Sequence, residues 1–270
     1  MSNWETDVSR QYVDAVLRRK AHPADNPVVP ADHVVDWEDR PSAFKTYRGV
    51  HRISLKYSLA KLRHVSEIMG SRSRSHGSSS LTYEVLSSLM LLSNGILKRK
   101  LGISWSLDDS PRADHVNAVY GRSAASGGGL YPVEFYFASG NGGWLLPGLY
   151  HYDGAHHALE QLSLGDMTAC VRYACFGCEA AVEATEFVLV SLNFWKSSFK
   201  YHNFAYHVAT QDLGAGLGAM RFAASALSID LTFLFWFHDE ALNGLLGFET
   251  REESVFVVGA IGRRGSESGP

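Results

Sequence analysis

What the chain has little of narrows its function first. It carries no surplus of positive charge, since 25 Lys and Arg stand against 28 Asp and Glu for a formal net charge of −3. Phosphate backbones are gripped by clustered cations, so nucleic acid is not expected as the main partner. No uninterrupted apolar run approaches the roughly 18 residues of a membrane span, and Met1 to Asp7 has no cationic segment followed by an apolar one. No membrane partner is expected, and the expected compartment is the cytoplasm. Cysteine is scarce. Cys170, Cys175 and Cys178 form C-x4-C-x2-C, the spacing of the first three ligands of a plant-type iron–sulfur cluster, but there is no fourth. They lie in a stretch of helical apolar spacing, where free thiols act as small hydrophobes, so reduced core thiols are expected. His151, His156 and His157 surround Asp153-Gly154 without a carboxylate or cysteine at ligand spacing, so they read as exposed turn histidines and no metal is expected.

What is there is ordinary for a soluble globular chain: 270 residues, 46% hydrophobic and 20% charged, enough for one sizeable core or two small ones. Apolar spacing predicts a helix over 4–20, closed by the prolines of 22–31. Residues 28–55 are turn-rich and read as an arm laid over the main body or a partner subunit. A helix marked by Leu62, Val65 and Met69 ends at Gly70. Ser71 to Ser80 follows, with arginines alternating with serines; it reads either as a phosphate grip or as a solvated linker. Thr82 caps the next helix, with Leu86, Leu89, Leu91 and Leu92 as its stripe, Gly95 at its end and Lys98-Arg-Lys100 suiting its C-terminus.

The central feature is Gly121 to Pro132, Gly-Arg-Ser-Ala-Ala-Ser-Gly-Gly-Gly-Leu-Tyr-Pro, directly before a strand over 130–138. Three glycines allow backbone amides to approach a flat or anionic ligand, and equally make a plain turn. A hairpin is expected from 149–152 and 157–162, a helix over 167–181, and a strand buried on both faces over 186–193. After the polar and aromatic stretch 195–206, a long helix over 204–227 contains Gly214, Gly216 and Gly218. No strand leads into these glycines, so close helix packing, across a subunit interface or within the chain, is favoured over pyrophosphate binding. A strand over 229–237, a short helix over 239–246 and a strand over 254–261 complete a mixed α and β chain without internal repeats.

Three stretches in order resemble the nitroreductase superfamily, specifically its SagB-type azoline oxidases. They are Arg72-Ser73-Arg74 before the Leu-rich helix, Arg122-x-x-Ala125-Ser126-Gly127-Gly128-Gly129-Leu130-Tyr131-Pro132, and Lys200-Tyr201 before the long helix. Pro147 to Tyr152 and Phe237 to Gly247 are weaker matches. Ala125 replaces the family's usual proline, Phe235-Trp236 stands where glycines often line the flavin, and 202–212 differs from the usual helix start. The resemblance covers about 59–264. It implies an α+β fold with a mixed, mostly antiparallel sheet flanked by helices, in a two-fold homodimer. By the same resemblance residues 1–58 are an N-terminal arm, 59–264 a flavin-binding domain and 265–270 a disordered tail.

The resemblance further implies FMN at the subunit interface. Arg72, Ser73 and Arg74 would hold its phosphate, and Arg122, Ser126, Gly127 and Gly128 would border the flavin. Lys200 would be the catalytic base, assisted by Tyr201, in dehydrogenating azolines to azoles within a ribosomally made peptide. Burial among Trp195, Phe199 and Phe204 is what would desolvate such a base. A short N-terminal region leaves leader recognition to a partner, a cyclodehydratase or leader-binding protein. Two other readings stand beside this one: another flavin-dependent peptide dehydrogenase or nitroreductase-like enzyme, and a non-catalytic scaffold subunit of a peptide-modifying complex.

Overall fold

The computed structural model describes residues 3–21, 28, 33–70, 81–104 and 112–262. Arg72, Ser73, Arg74 and the tail beyond Gly262 lie outside the described residues. In chain order the elements are α1 (Asn3–Arg18), β1 (Arg52–Ser54), α2 (Val65–Gly70), α3 (Tyr83–Asn94), β2 (Ile96–Ser104), β3 (Arg112–Arg122), β4 (Val133–Ser139), β5 (Gly148–Asp153), β6 (Ala158–Leu164), α4 (Thr168–Ala174), α5 (Glu179–Glu183), β7 (Glu186–Asn193), α6 (Trp195–Tyr201), α7 (Ala205–Ala226), β8 (Leu231–Leu234), α8 (Asp239–Leu246) and β9 (Glu253–Ile261).

Seven strands form one sheet in the order β1-β6-β5-β4-β7-β9-β8, and every neighbouring pair is antiparallel. β4 is buried along its whole length and β7 along all but its last residue, because the sheet is covered on both faces. One face packs Phe135, Phe137, Val188 and Val190 under α3 and α7; the other packs Tyr136, Leu189 and Val258 under α4, α5 and α8. That is why 186–193 reads as a continuous apolar run rather than an alternating one. The sequence-based expectation of an α+β fold with helices on both sides of a largely antiparallel sheet holds.

Several expectations are corrected. Lys98-Arg-Lys100 does not end a helix but lies in β2, which pairs only with β3 as a separate two-stranded ribbon; Thr82 and Gly95 do cap α3. The stretch 167–181 breaks into α4 and α5, since Phe176 and Gly177 both take positive φ (55° and 62°) between Cys175 and Cys178. Of the thiols only Cys175 is in the core, where burial pushes it up to about 12; Cys170 is exposed. His151 and His157 are buried, not exposed, because side chains from other strands and from the arm surround them. Gly216 of α7 lies on β4 near Phe135 and Val133. A Cβ on Gly214 or Gly218 would meet nothing within 4 Å among the described residues, so packing among these does not explain them.

Candidate functional site

Two chain segments far apart in sequence converge at one end of the sheet. The first leaves β3 at Arg122 and turns through a short 3-10 segment, Gly127–Gly129, before β4. Gly128 and Gly129 have φ of 65° and 67°, a region open to glycine at no steric cost. The second leaves β7 at Asn193 and forms α6, which ends in Lys200 and Tyr201; His202 takes a φ of 49° before α7 begins. Asn193 N–H donates to the Pro132 carbonyl at 2.9 Å, fastening the two exits together.

The contact between the segments is close enough to require glycine. A Cβ on Gly128 would overlap the Tyr201 hydroxyl and lie 3.0 Å from the Lys200 Nζ. A Cβ on Gly127 would overlap Val208 of α7, whereas one on Gly129 would meet nothing within 4 Å among the described residues. The first two glycines thus make room for protein, and only the third presents open backbone. Asp212 of α7, which sequence reasoning missed, holds the loop: it accepts from the Ser126 hydroxyl at 2.6 Å and from Gly127 N–H at 2.8 Å. Ser126 in turn accepts from Tyr131 N–H at 2.8 Å, so its hydroxyl is committed to the loop's own shape.

Lys200 is half-buried. Its ammonium lies 5.6 Å from the centre of the Trp37 ring and 5.2 Å from that of Tyr201, within the range of cation–π attraction. Trp37 comes from the arm, packs edge-on against buried Phe199, and has no sequence signal beyond being an isolated aromatic. His33 Nε2 donates to the Lys200 carbonyl at 3.2 Å. The arm is thus laid over α6. Trp195 is partly exposed and Phe204 lies edge-on to Tyr201, so of the expected aromatic surround only Phe199 is fully buried. A cavity of about 490 Å³ opens beside α6, between Phe44 and Lys45 of the arm, Trp195 and Arg251.

Arg122 is buried between the rings of Phe44 and Tyr131, at 5.0 and 4.8 Å, and donates to Asn94 and to the Ala43 carbonyl. Burial lowers its pKa, an effect the nearby Glu134 opposes. Arg122 Nε and Ser123 Oγ at the start of the loop, and Ser197 Oγ in α6, are buried without a hydrogen-bond partner among the described residues. Buried polar atoms are rarely left so, and these three occupy the two segments that form the site. Open glycine backbone, unsatisfied donors and apolar walls suit a planar ligand with polar edges. Among the described residues no group of three His, Cys, Asp or Glu is arranged to hold a metal ion, and no helix is long and apolar enough to cross a membrane.

Sheet, loop and facing helix define an oxidoreductase fold, and residues 83–263 match the nitroreductase family. The chain belongs to this family, whose members use a flavin. Among solved structures, a nitroreductase-like protein from Anabaena variabilis ATCC 29413 is 26% identical with a TM-score of 0.71; the match covers 92% of this chain but 45% of that one. The chain therefore spans less than half the length of that relative. A nitroreductase-like protein from Ralstonia eutropha JMP134 is 18% identical (TM-score 0.59, covering 84% and 95%). A chain of the E. coli microcin synthetase McbBCD complex with truncated pro-MccB17 bound is 14% identical (TM-score 0.57, covering 98% of each), a likeness that shows fold alone. No curated protein matches.

Proposed function

We propose that the protein is an FMN-dependent oxidoreductase that converts azolines to azoles in a ribosomally made peptide. The observation that carries this reading is the meeting of Lys200 Nζ and the Tyr201 hydroxyl over Gly128 of the glycine loop. FMN, when bound, supplies the two-electron acceptor that takes up the hydride from the ring. Lys200 takes the proton from the neighbouring ring carbon, and Tyr201 orients it or shares that proton. Trp37 and the loop enclose the ammonium on two sides and limit its access to water. Arg122, Ser126, Gly127 and Gly128 form the flavin-bordering loop, Ser126 and Gly127 by shaping it through Asp212, while Arg72, Ser73 and Arg74 are proposed for the phosphate.

A homodimer is part of the proposal. The exposed side of α7, with Gly214, Gly218 and the half-exposed Phe222, is a face where another helix can approach closely. A cyclodehydratase or leader-binding protein is the proposed partner, and the cytoplasm the proposed compartment. The fold shared with a chain of a peptide-bound synthetase complex supports the peptide substrate. A nitroreductase-like enzyme with another substrate is equally compatible with the family. The scaffold reading stands beside these: Phe235 and Trp236, its sequence motive, are exposed beyond β8.

The test is the absorbance spectrum of the purified protein, followed by turnover of a thiazoline-containing peptide by wild type and Lys200→Ala. A flavin spectrum, with azoline oxidation abolished and FMN retained in the variant, is expected. Normal turnover by Lys200→Ala sinks the assignment, and a colourless protein that takes up no FMN favours the scaffold.

A further inference from the structure

One face of the sheet carries a buried row of charge that the proposed reaction does not use. Glu134 of β4 contacts His151 of β5 at 3.4 Å, and His151 contacts Glu160 of β6 at 2.9 Å. Glu160 ends the row on the half-exposed Arg52 at 2.6 Å and on Tyr47 N–H at 3.0 Å. At its other end Glu134 accepts from Lys196 of α6. Lys196 is 4% exposed, and one helical turn separates it from Lys200. Its ammonium also donates to the Ala43 carbonyl at 3.4 Å, the same oxygen that accepts from Arg122 Nη2 at 3.1 Å. Two buried cations, one from each wall of the site, therefore meet on a single arm carbonyl. Lys196 also lines a small void shared with Gly129, Leu130 and Phe199.

We propose that Lys196 is a positioning residue: by holding Glu134 of the sheet and the Ala43 carbonyl that Arg122 shares, it sets α6 against the glycine loop and so places Lys200 and Tyr201. The proposal rests on reading that pair as the reactive one. Met at 196 would keep the aliphatic bulk and lose both attachments. Val171 of α4, fully buried on the same face of the sheet, provides a matched control: Val171→Ala opens a void in the core without touching α6 or the glycine loop.

The experiment uses the FMN-loaded full chain and two readouts, acetylation of Lys200 by acetic anhydride followed by peptide mass spectrometry, and kcat and KM on a thiazoline-containing peptide. Lys196→Met is expected to change Lys200 labelling by about threefold or more and to lower kcat by about tenfold or more with KM within about threefold, as a small misplacement of a reacting group does. Val171→Ala should leave labelling and kcat within about twofold of wild type at a comparable loss of melting temperature. Should Lys196→Met fail to fold, the pair Glu134→Gln with Lys196→Met, which removes both charges, is measured by the same criteria. Unchanged labelling and kcat in the Lys196 variant, or an equal loss in Val171→Ala, overturns the proposal. If Lys200→Ala turns over normally, the catalytic reading falls by itself, and labelling alone then decides whether Lys196 positions the pair.

Discussion

The two walls of the site are each fastened by a buried carboxylate, and the fold treats the two in opposite ways. For Glu134, behind α6, burial raises the pKa, but Lys196, then His151 and Arg122, outweigh it and bring the carboxyl down to about 2. For Asp212, behind the loop, burial again raises the pKa, and the hydrogen bonds from Ser126 and Gly127 only partly offset it, so the net shift is upward. The carboxylate of the helix wall is therefore held by paired cations, and that of the loop wall by hydrogen bonds alone. Removing a charge should damage the first far more than the second.

The largest effect is expected from Glu134→Gln, which leaves Lys196 buried without its anion, while His151 keeps Glu160. Breaking such a pair costs about 3–5 kcal/mol, which at about 2–4 °C per kcal/mol is a melting-temperature loss of about 10 °C. The folded pKa lies below the unfolded 4.5, so the contribution is complete above pH 4.5 and disappears as pH falls through about 2. A thermal melt showing a loss under about 2 °C would mean that charge does not hold this wall.

Glu186, at the start of β7, is a buried carboxylate with no hydrogen-bond or ionic partner among the described residues: burial alone pushes it up to about 7. The folded protein keeps a proton that the unfolded chain releases, so stability falls as pH rises from 4.5 to 7, by roughly 3 kcal/mol. His151 acts in the same direction. Burial lowers its pKa, Glu134 and Glu160 more than reverse this, and its contribution, present below pH 6.5, is lost as pH rises through the raised value. Urea unfolding at pH 5 and pH 7.5 should show a steeper decline for wild type than for Glu186→Gln; equal declines would place the titration elsewhere.

How far this was legible in the sequence depends on the physics behind each part. β4 and β7 were readable because strands buried on both faces carry unbroken apolar runs, and α3 because Thr82, its leucine stripe and Gly95 agree. The ribbon of β2 and β3 was not: β2 is exposed from Leu97 to Leu101 without a core-facing alternation, and Lys98-Arg-Lys100 imitated a helix end. The glycine loop and Lys200-Tyr201 were each visible, but their juxtaposition rested on resemblance, because nothing local records a long-range meeting. Asp212 gave no signal, being one acid within a helix. Glu134 and Lys196 did give one that went unread, a charge inside an otherwise buried strand and a second cation one turn before Lys200.

Adjacent glycines separate packing from backbone freedom within the loop. Gly128→Ala adds a Cβ that collides with the Tyr201 hydroxyl at a φ of 65°, whereas Gly129→Ala adds one in open space at a φ of 67°. The backbone strain is similar, about 1–2 kcal/mol each. Gly128→Ala should in addition displace the Lys200–Tyr201 pair and cut azoline turnover by about tenfold or more. Equal activity in the two variants would show that the contact over Gly128 has no bearing on the reaction.

The smallest effect is expected from Asp212→Asn, and its pH dependence is more telling than its size. The amide keeps an acceptor for Gly127 N–H, and the Ser126 hydroxyl can turn to accept from the new NH2 group, so the loss is about 1 kcal/mol, that of a single hydrogen bond weakened. Because the folded pKa of Asp212 is raised, its contribution to stability is full below the unfolded 3.8 and declines as pH climbs through the raised value. The stability gap between wild type and Asp212→Asn should accordingly be wider at pH 4 than at pH 7, opposite in sign to the pH response of a Glu134 variant. A gap that widens toward neutrality would show that the loop, like the helix facing it, is held by an anion, and the contrast between the two walls would collapse.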